Sequence, residues 1–176
     1  MDYKAAANYW FEKDKSAVKM DPEELKAEIE EFLKKHKVCA LATAAGDFVR
    51  CTPIEYNYVD GCFYLFSEGG LKFRALESNK HVCLAVFQES ADFGNLAGLQ
   101  VTGTAEIVEL WSEEYMRIAA FKKIPVEVLK KLPRPMNLIK IVPEVYDFLE
   151  SDLKKKGYGS RQQLKVVYAD GTCIRR

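Results

Sequence analysis

The sequence is short of the residues from which most catalytic and metal centres are built. It holds only two histidines, His36 and His81. His36 sits in the basic stretch Lys34-Lys35-His36-Lys37 and His81 opens an apolar one; neither has a partner carboxylate or a second ligand beside it. Both read as structural or solvated rather than as ligand or base. The cysteines (Cys39, Cys51, Cys62, Cys83 and Cys173) are odd in number, and no pair has metal-ligand spacing. Four of them lie in apolar runs, so each reads as a small buried hydrophobe. No glycine fingerprint for nucleotide phosphates is present, and no serine nucleophile elbow. Charge of one sign is also missing: 26 lysines and arginines face 26 acids. That balance argues against a nucleic-acid or membrane-surface protein, which carries a basic excess. No apolar run is long enough to span a bilayer. With no apolar leader at the N-terminus, a reducing cytoplasm is the expected location.

What is present is ordinary globular composition, 48% apolar and 30% charged, in a chain long enough to bury one core without staples. The first third reads as helical. Residues 3–18 give one helix, and Asp21-Pro22 starts a second, with Asp21 as N-cap, Pro22 at the first helical position and Glu24 placed for a capping box. Leu25, Ile29, Phe32 and Leu33 then recur at helical spacing. From Val38 the period becomes two. The spacing predicts strands over 38–43, 48–58, 62–67, 81–88, 99–109 and 136–149, with Asp60-Gly61 as a tight hairpin. Short helices are expected over 71–78, 112–123 and 126–132. Six antiparallel strands of this length can close into a barrel, which removes exposed edges. The expected organisation is one domain: helices 1–36 packing on the barrel, the barrel proper over 37–150, and a basic tail over 151–176. In that tail Lys154, Lys155, Lys156, Arg161, Lys165, Arg175 and Arg176 face only Asp152 and Asp170. It is either a solvated segment or one that reaches an anionic ligand.

One constellation suggests chemistry. Arg50 opens the second strand, and the third ends in Phe66-Ser67, followed by Gly69-Gly70 and a helix start bearing Lys72. Glycine backbone, helix N-terminal N–H groups and two long cations are the materials of a phosphate site. Pro53 cannot donate to a ladder, so its strand belongs at an edge or a ligand-lined opening. The competing reading is surface cations beside a hairpin. The alternating rings Tyr56, Tyr58, Tyr64 and Phe66 read chiefly as core, and Trp10 and Trp111 as residues that dock the flanking helices.

The run Asp60-Gly-Cys-Phe-Tyr-Leu-Phe-Ser67, the segment Lys72-Phe-Arg-Ala-Leu-Glu-Ser-Asn-Lys-His-Val82 and the strand Val101-Thr-Gly-Thr-Ala-Glu106 resemble the pyridoxamine 5′-phosphate oxidase-like family of FMN-binding split barrels. The resemblance implies a mainly β fold with flanking helices: a six-stranded antiparallel split β-barrel, homodimeric, with FMN at the dimer interface. It implies a flavoprotein oxidoreductase acting on a small substrate, with Arg50 and Lys72 on the phosphate. Cys51, Thr52 and Pro53 would lie along the ring, Phe66 and Ser67 beside ribityl and ring, Gly70 and Leu71 at the phosphate end, and Gln100 reaching the partner's FMN. Gly70-Leu71 stands where the family has a serine-arginine pair, so one phosphate donor is missing. The family's C-terminal substrate motif is absent, which argues against vitamin B6 oxidation. Two alternatives stay open. One is deazaflavin F420, whose anionic tail could use Lys154–Lys156; the other is a flavin- or haem-binding module without turnover, with His36 or His81 as the axial choice.

Overall fold

The change of hydrophobic period at Val38 is where the sheet begins. The computed structural model describes residues 1–89, 92 and 94–167; Cys173, Arg175 and Arg176 of the expected tail lie outside the described residues. Two helices come first, α1 (Tyr3–Asp14) and α2 (Pro22–Lys35). Strands β1 (Val38–Ala45), β2 (Phe48–Glu55), β3 (Asn57–Val59) and β4 (Cys62–Ser67) lead to α3 (Lys72–Ser78). Then come β5 (His81–Phe87), β6 (Ala97–Val108), α4 (Glu113–Phe121), α5 (Val126–Lys130) and β7 (Asn137–Glu150). A 3-10 helix (Ser151–Lys156) and β8 (Arg161–Lys165) complete the described chain.

The strand order is β2-β1-β5-β6-β7-β4-β3, all antiparallel, with β8 added on β7. The two ends of that path, β2 and β3, are neighbours in the chain, separated only by Tyr56. An open flat sheet cannot hold its first and last strands one residue apart, so the sheet curls into a barrel. The expected mainly antiparallel split barrel is therefore the fold. The expected single strand over 48–58 is two strands, because Tyr56 leaves the ladder. Its N–H donates to the Lys37 carbonyl (2.9 Å), and its buried hydroxyl lies 3.0 Å from the Leu33 carbonyl and 2.8 Å from that of His36. These are end-of-helix carbonyls with no intrahelical donor. One side chain thus caps α2 and turns the chain across the barrel seam.

Turn chemistry follows the residue types. Asp60 (φ 51°) and Gly61 (φ 79°) both take the left-handed region that a two-residue hairpin of this twist needs. Asp21 accepts the N–H groups of Glu23 and Glu24, but the capping box is not closed: the Glu24 carboxylate takes the Tyr158 hydroxyl instead. At the β6–β7 register shift, a Cβ on Gly103 would lie 2.4 Å from the Val142 carbonyl oxygen, so only glycine fits.

Two apolar cores result. Inside the barrel, Leu41, Phe63, Leu65, Leu84, Val101 and Ile139 pack with Leu25, Ile29, Phe32 and Leu33 of α2, which plugs one end. Outside it, Tyr64, Phe66 and Leu138 pack under Tyr115 and Ile118 of α4. The stretch from Ser151 is not a solvated tail over its described part. β8 pairs with β7, Lys155 pairs with Asp152 (2.7 Å) and Lys156 with Glu28. Buried Gln162 ties β8 to the α1–α2 linker through the Met20 N–H and the Val18 carbonyl. Cys39, Cys51 and Cys83 are free thiols, and burial pushes that of Cys39 up to about 12. Cys62 departs from expectation: it is fully buried but disulfide-bonded.

Candidate functional site

β2 is paired on one side only, by β1, so Pro53 sits on the edge strand its missing N–H requires. Antiparallel partners share a face, and the register sorts the β2 run accordingly. Arg50 and Thr52 lie opposite Thr43 and Leu41, on the face that turns into the barrel. Cys51 and Pro53 lie opposite Ala42 and Ala40, on the outer face. The small residues Ala40, Ala42, Cys83 and Ala85 keep that outer face flat.

The second part of the site is the loop from β4 to α3. Ser67 is buried, and its hydroxyl donates to the Gly69 carbonyl (3.1 Å) while accepting the Gly69 N–H (3.2 Å). Gly69 and Gly70 take φ values of 143° and 105°. A Cβ on Gly70 would come within 3.5 Å of the Lys72 ammonium. Lys72 is only 6% exposed, and its Nζ donates to the Gly69 carbonyl at 2.5 Å. It has no carboxylate partner among the described residues. Burial pushes its pKa below the ordinary lysine value. The helix start offers less than expected: the Phe73 and Arg74 N–H groups are spent on the Gly70 and Leu71 carbonyls.

α3 packs on β1 and β2, which brings the two parts together and adds a residue not picked out from the sequence. The Arg74 guanidinium stacks over the Phe48 ring (4.6 Å). Phe48 is two residues, about 7 Å, from Arg50 along β2. Arg50, Lys72 and Arg74 all lack a carboxylate partner among the described residues. Across from Arg50 on β1, the buried Thr43 hydroxyl has no hydrogen-bond partner among the described residues. Unpaired cations on β2 and α3, with spare donors, and an orphaned hydroxyl suit a polyanionic group such as a phosphate. Arg74 offers a replacement for the donor missing at Gly70-Leu71.

Of the other expected residues, Phe66 turns its ring away from the loop and Gln100 lies well away from its own β2. The Phe66 side chain turns into the outer core, its ring edge-on to Tyr115 at 5.7 Å, so only its backbone faces the loop. Gln100 lies in the cross-strand row Pro53–Ala40–Ala85–Gln100, three strand spacings or about 14 Å from Pro53. Leu71 is exposed at the loop tip. Two clefts open on the described surface. One of about 620 Å³ lies between α2, the β3–β4 hairpin and β8; one of about 800 Å³ lies between α1 and the outer sheet face and includes Gln100. Arg50, Lys72, His36 and His81 line neither. The His36 ring rests on Phe32 at 4.4 Å, and no metal-binding group of three ligands exists among the described residues.

An antiparallel split barrel with flanking helices defines a fold class, and comparison with known proteins agrees with it. The family model described as pyridoxamine 5′-phosphate oxidase matches residues 25–149; the chain belongs to that family. Among solved structures it is similar to a candidate pyridoxamine 5′-phosphate oxidase from Listeria innocua (25% identity, TM-score 0.58, covering 71% of this chain and 98% of that one). It is similar in fold to an FAD-binding protein from Mesorhizobium loti (20% identity, TM-score 0.57, 69% and 89% covered). A haem storage protein from Vibrio cholerae shares the fold as well (22% identity, TM-score 0.57, 71% and 92% covered). No curated protein matches the sequence.

Proposed function

We propose that this chain is an FMN-binding oxidoreductase that acts on a small organic substrate and works as a homodimer. The observation that carries the reading is Lys72: a buried ammonium with one carbonyl contact, a depressed pKa and no counter-charge among the described residues. An isolated buried charge is costly, and a bound phosphate would relieve that cost. Arg50 and Arg74 would share the phosphate with it, and the positive φ values of Gly69 and Gly70 set the turn that brings the Gly69 carbonyl to the ammonium. The Cys51–Pro53 edge of β2 would support the ring. FMN, when bound, supplies the hydride or electron chemistry. The protein's part is to hold the phosphate and present edge-strand backbone to the ring, beside the small residues Ala40, Ala42, Cys83 and Ala85.

Two observations favour this over the alternatives. The haem reading needs an imidazole free to ligate, and the His36 ring rests on Phe32 at 4.4 Å. The deazaflavin reading needs Lys154–Lys156 available, yet Lys155 and Lys156 are paired with Asp152 and Glu28. A second copy accounts for Gln100, which lies too far from its own β2 to touch a ring there. It also accounts for the exposed Val49 and Phe87 on the outer face. The test is an FMN titration of flavin-stripped protein with Arg50→Ala alongside. Submicromolar binding, weakened at least tenfold in Arg50→Ala, is expected; equal affinity for both proteins refutes the placement of the phosphate. Sedimentation of the FMN-loaded protein at 20 kDa would remove the dimer from the proposal.

A further inference from the structure

The flavin reading gives no part to the bonded cysteine. The sequence has five cysteines; Cys39, Cys51 and Cys83 are free thiols, whereas Cys62 is disulfide-bonded. That leaves Cys173, which lies outside the described residues. Cys62 is fully buried at the start of β4, so the sulfur of another protein cannot reach it. Its partner has to come from within the chain.

Strand pairing brings the end of β8 to Cys62. β4 and β8 lie end to end along the edge of β7 that β6 leaves free: Phe63 pairs with Ile141 and Lys165 with Val145. The Val166 N–H still donates to the Glu144 carbonyl (2.9 Å). Continued in this register, the chain after Val167 would run into Cys62. It therefore has to leave the edge within two strand steps, about 7 Å, of that residue. A disulfide needs its two Cα atoms within about 7 Å. Residues 168–172 separate Val167 from Cys173, and they hold Asp170-Gly171, the same pair that turns the chain at Asp60-Gly61. A two-residue turn at that pair sets Cys173 beside Tyr168, back where the chain left the edge. The cleft of about 620 Å³ opens at the same place. Val166 and Val167 line it, as do Asp60 and Gly61 next to Cys62, with Ile29 and Tyr58 adding apolar surface.

We propose that the partner of Cys62 is Cys173, and that the bond straps residues 168–173 over this cleft, closing it when oxidised and releasing it when reduced. To form the bond, the Cys173 thiolate attacks a low-molecular-weight disulfide and one small thiol leaves. The Cys62 sulfur then displaces the second small thiol as the Cys62–Cys173 bond closes. Two protein thiols are oxidised, the small disulfide is reduced to two thiols, and the two protons go with them. Burial keeps Cys62 from being the sulfur that a small reagent meets first. The strap uses none of Arg50, Lys72 and Arg74, so it stands or falls independently of the FMN reading.

The test has two arms, both on the full chain incubated with oxidised glutathione or with dithiothreitol. In the first, free thiols are alkylated in denaturant and the digested peptides are mapped by mass. A linked pair holding Cys62 and Cys173 is expected after oxidation and should disappear after reduction. Cys62 alkylated after oxidation, or linked to any other cysteine, overturns the bond. In the second arm, amide hydrogen exchange is followed in peptides covering 58–61 and 163–167, which border the cleft. Reduction should speed exchange there about fivefold or more, the scale of releasing a local contact. Cys173→Ser should exchange like reduced wild type under both conditions. Equal exchange by oxidised and reduced wild type, or a redox effect that survives in Cys173→Ser, overturns the strap even where the bond is found.

Discussion

Replacing Lys72 with methionine should move stability and cofactor affinity in opposite directions. The side chain is nearly fully buried and has one hydrogen bond, to the Gly69 carbonyl. Methionine keeps the unbranched stem and its packing, and removes the charge. The gain is the desolvation cost of an ammonium with no counter-charge; the loss is one carbonyl contact and a cation–π contact with the Phe73 ring at 5.4 Å. A net gain of about 1 kcal/mol is the expected scale for the cofactor-free protein. In a chain of this size that raises Tm by roughly 2–4 °C. The sign can be checked against pH. Burial holds the folded-state pKa of Lys72 below its unfolded value, so the unfolded chain binds the extra proton between the two. The penalty is therefore full below the folded pKa and fades as pH rises toward the unfolded one. The advantage of Lys72→Met should shrink in the same alkaline window. FMN affinity should fall about 10- to 150-fold, the loss of one charge-assisted contact of about 1.5–3 kcal/mol. Scanning calorimetry of stripped protein and a fluorescence titration read the two effects separately. A variant that melts lower than wild type without flavin, or binds FMN within twofold of it, refutes the reasoning.

Three further outcomes concern the scaffold. Gly103→Ala places a Cβ 2.4 Å from a backbone oxygen at the register shift, and overpacking against backbone of about 2–3 kcal/mol should lower Tm by roughly 5–10 °C; an unchanged melt would show that the bulge can shift. Asp21→Ala removes the side chain that caps α2, a loss of about 1 kcal/mol, read as a denaturant midpoint shift at constant slope. Glu114 gives a pH-dependent case: burial alone would raise its pKa, but hydrogen bonds from Tyr64 and Lys140 outweigh that and hold it below the usual value. Its stabilisation is present above the unfolded carboxylate pKa and lost as pH falls through the folded one. Glu114→Gln should therefore melt below wild type at pH 7 and converge with it in acid; an equal gap at both pH values counts against it.

Local chemistry made most of the barrel readable. Asp60-Gly61 dictates a left-handed turn by residue type, Asp21-Pro22 a helix start, and the two-residue period from Val38 a sheet. The break at Tyr56 was not readable, because apolar residues alternate on both sides of it. What interrupts the strand is a pair of carbonyls at the end of α2, and only the folded chain brings them there. β8 was missed for a related reason. Arg161-Gln-Gln-Leu-Lys165 has almost no apolar alternation, and it is a strand because the edge of β7 needs a partner and Gln162 has the α1–α2 linker to bind. Phe66 shows that a motif leaves a side chain's direction open. β4 is buried on both faces, so no polar alternation marks which side each residue takes. Pairing with Tyr64 and Cys62 by parity sends its ring outward, under α4.

The site itself depends on a property that composition hides. A chain with zero formal net charge can attract an anion only where its charges are segregated. Arg117 with Asp60 (2.6 Å), Lys140 with Glu114 (3.0 Å) and Arg161 with Asp14 are spent on the fold. Arg50, Lys72 and Arg74 at the β2–α3 seam have no such partner among the described residues. In the sequence Arg74 is one more basic residue in a short helix. It joins the other cations only because α3 lies across β2 and the Phe48 ring gives its guanidinium a resting place. A local positive field in a neutral molecule has short reach, about 8 Å at physiological ionic strength. It adds little long-range steering and acts on an anion already in the groove. Raising ionic strength should therefore weaken FMN binding mainly through its dissociation rate.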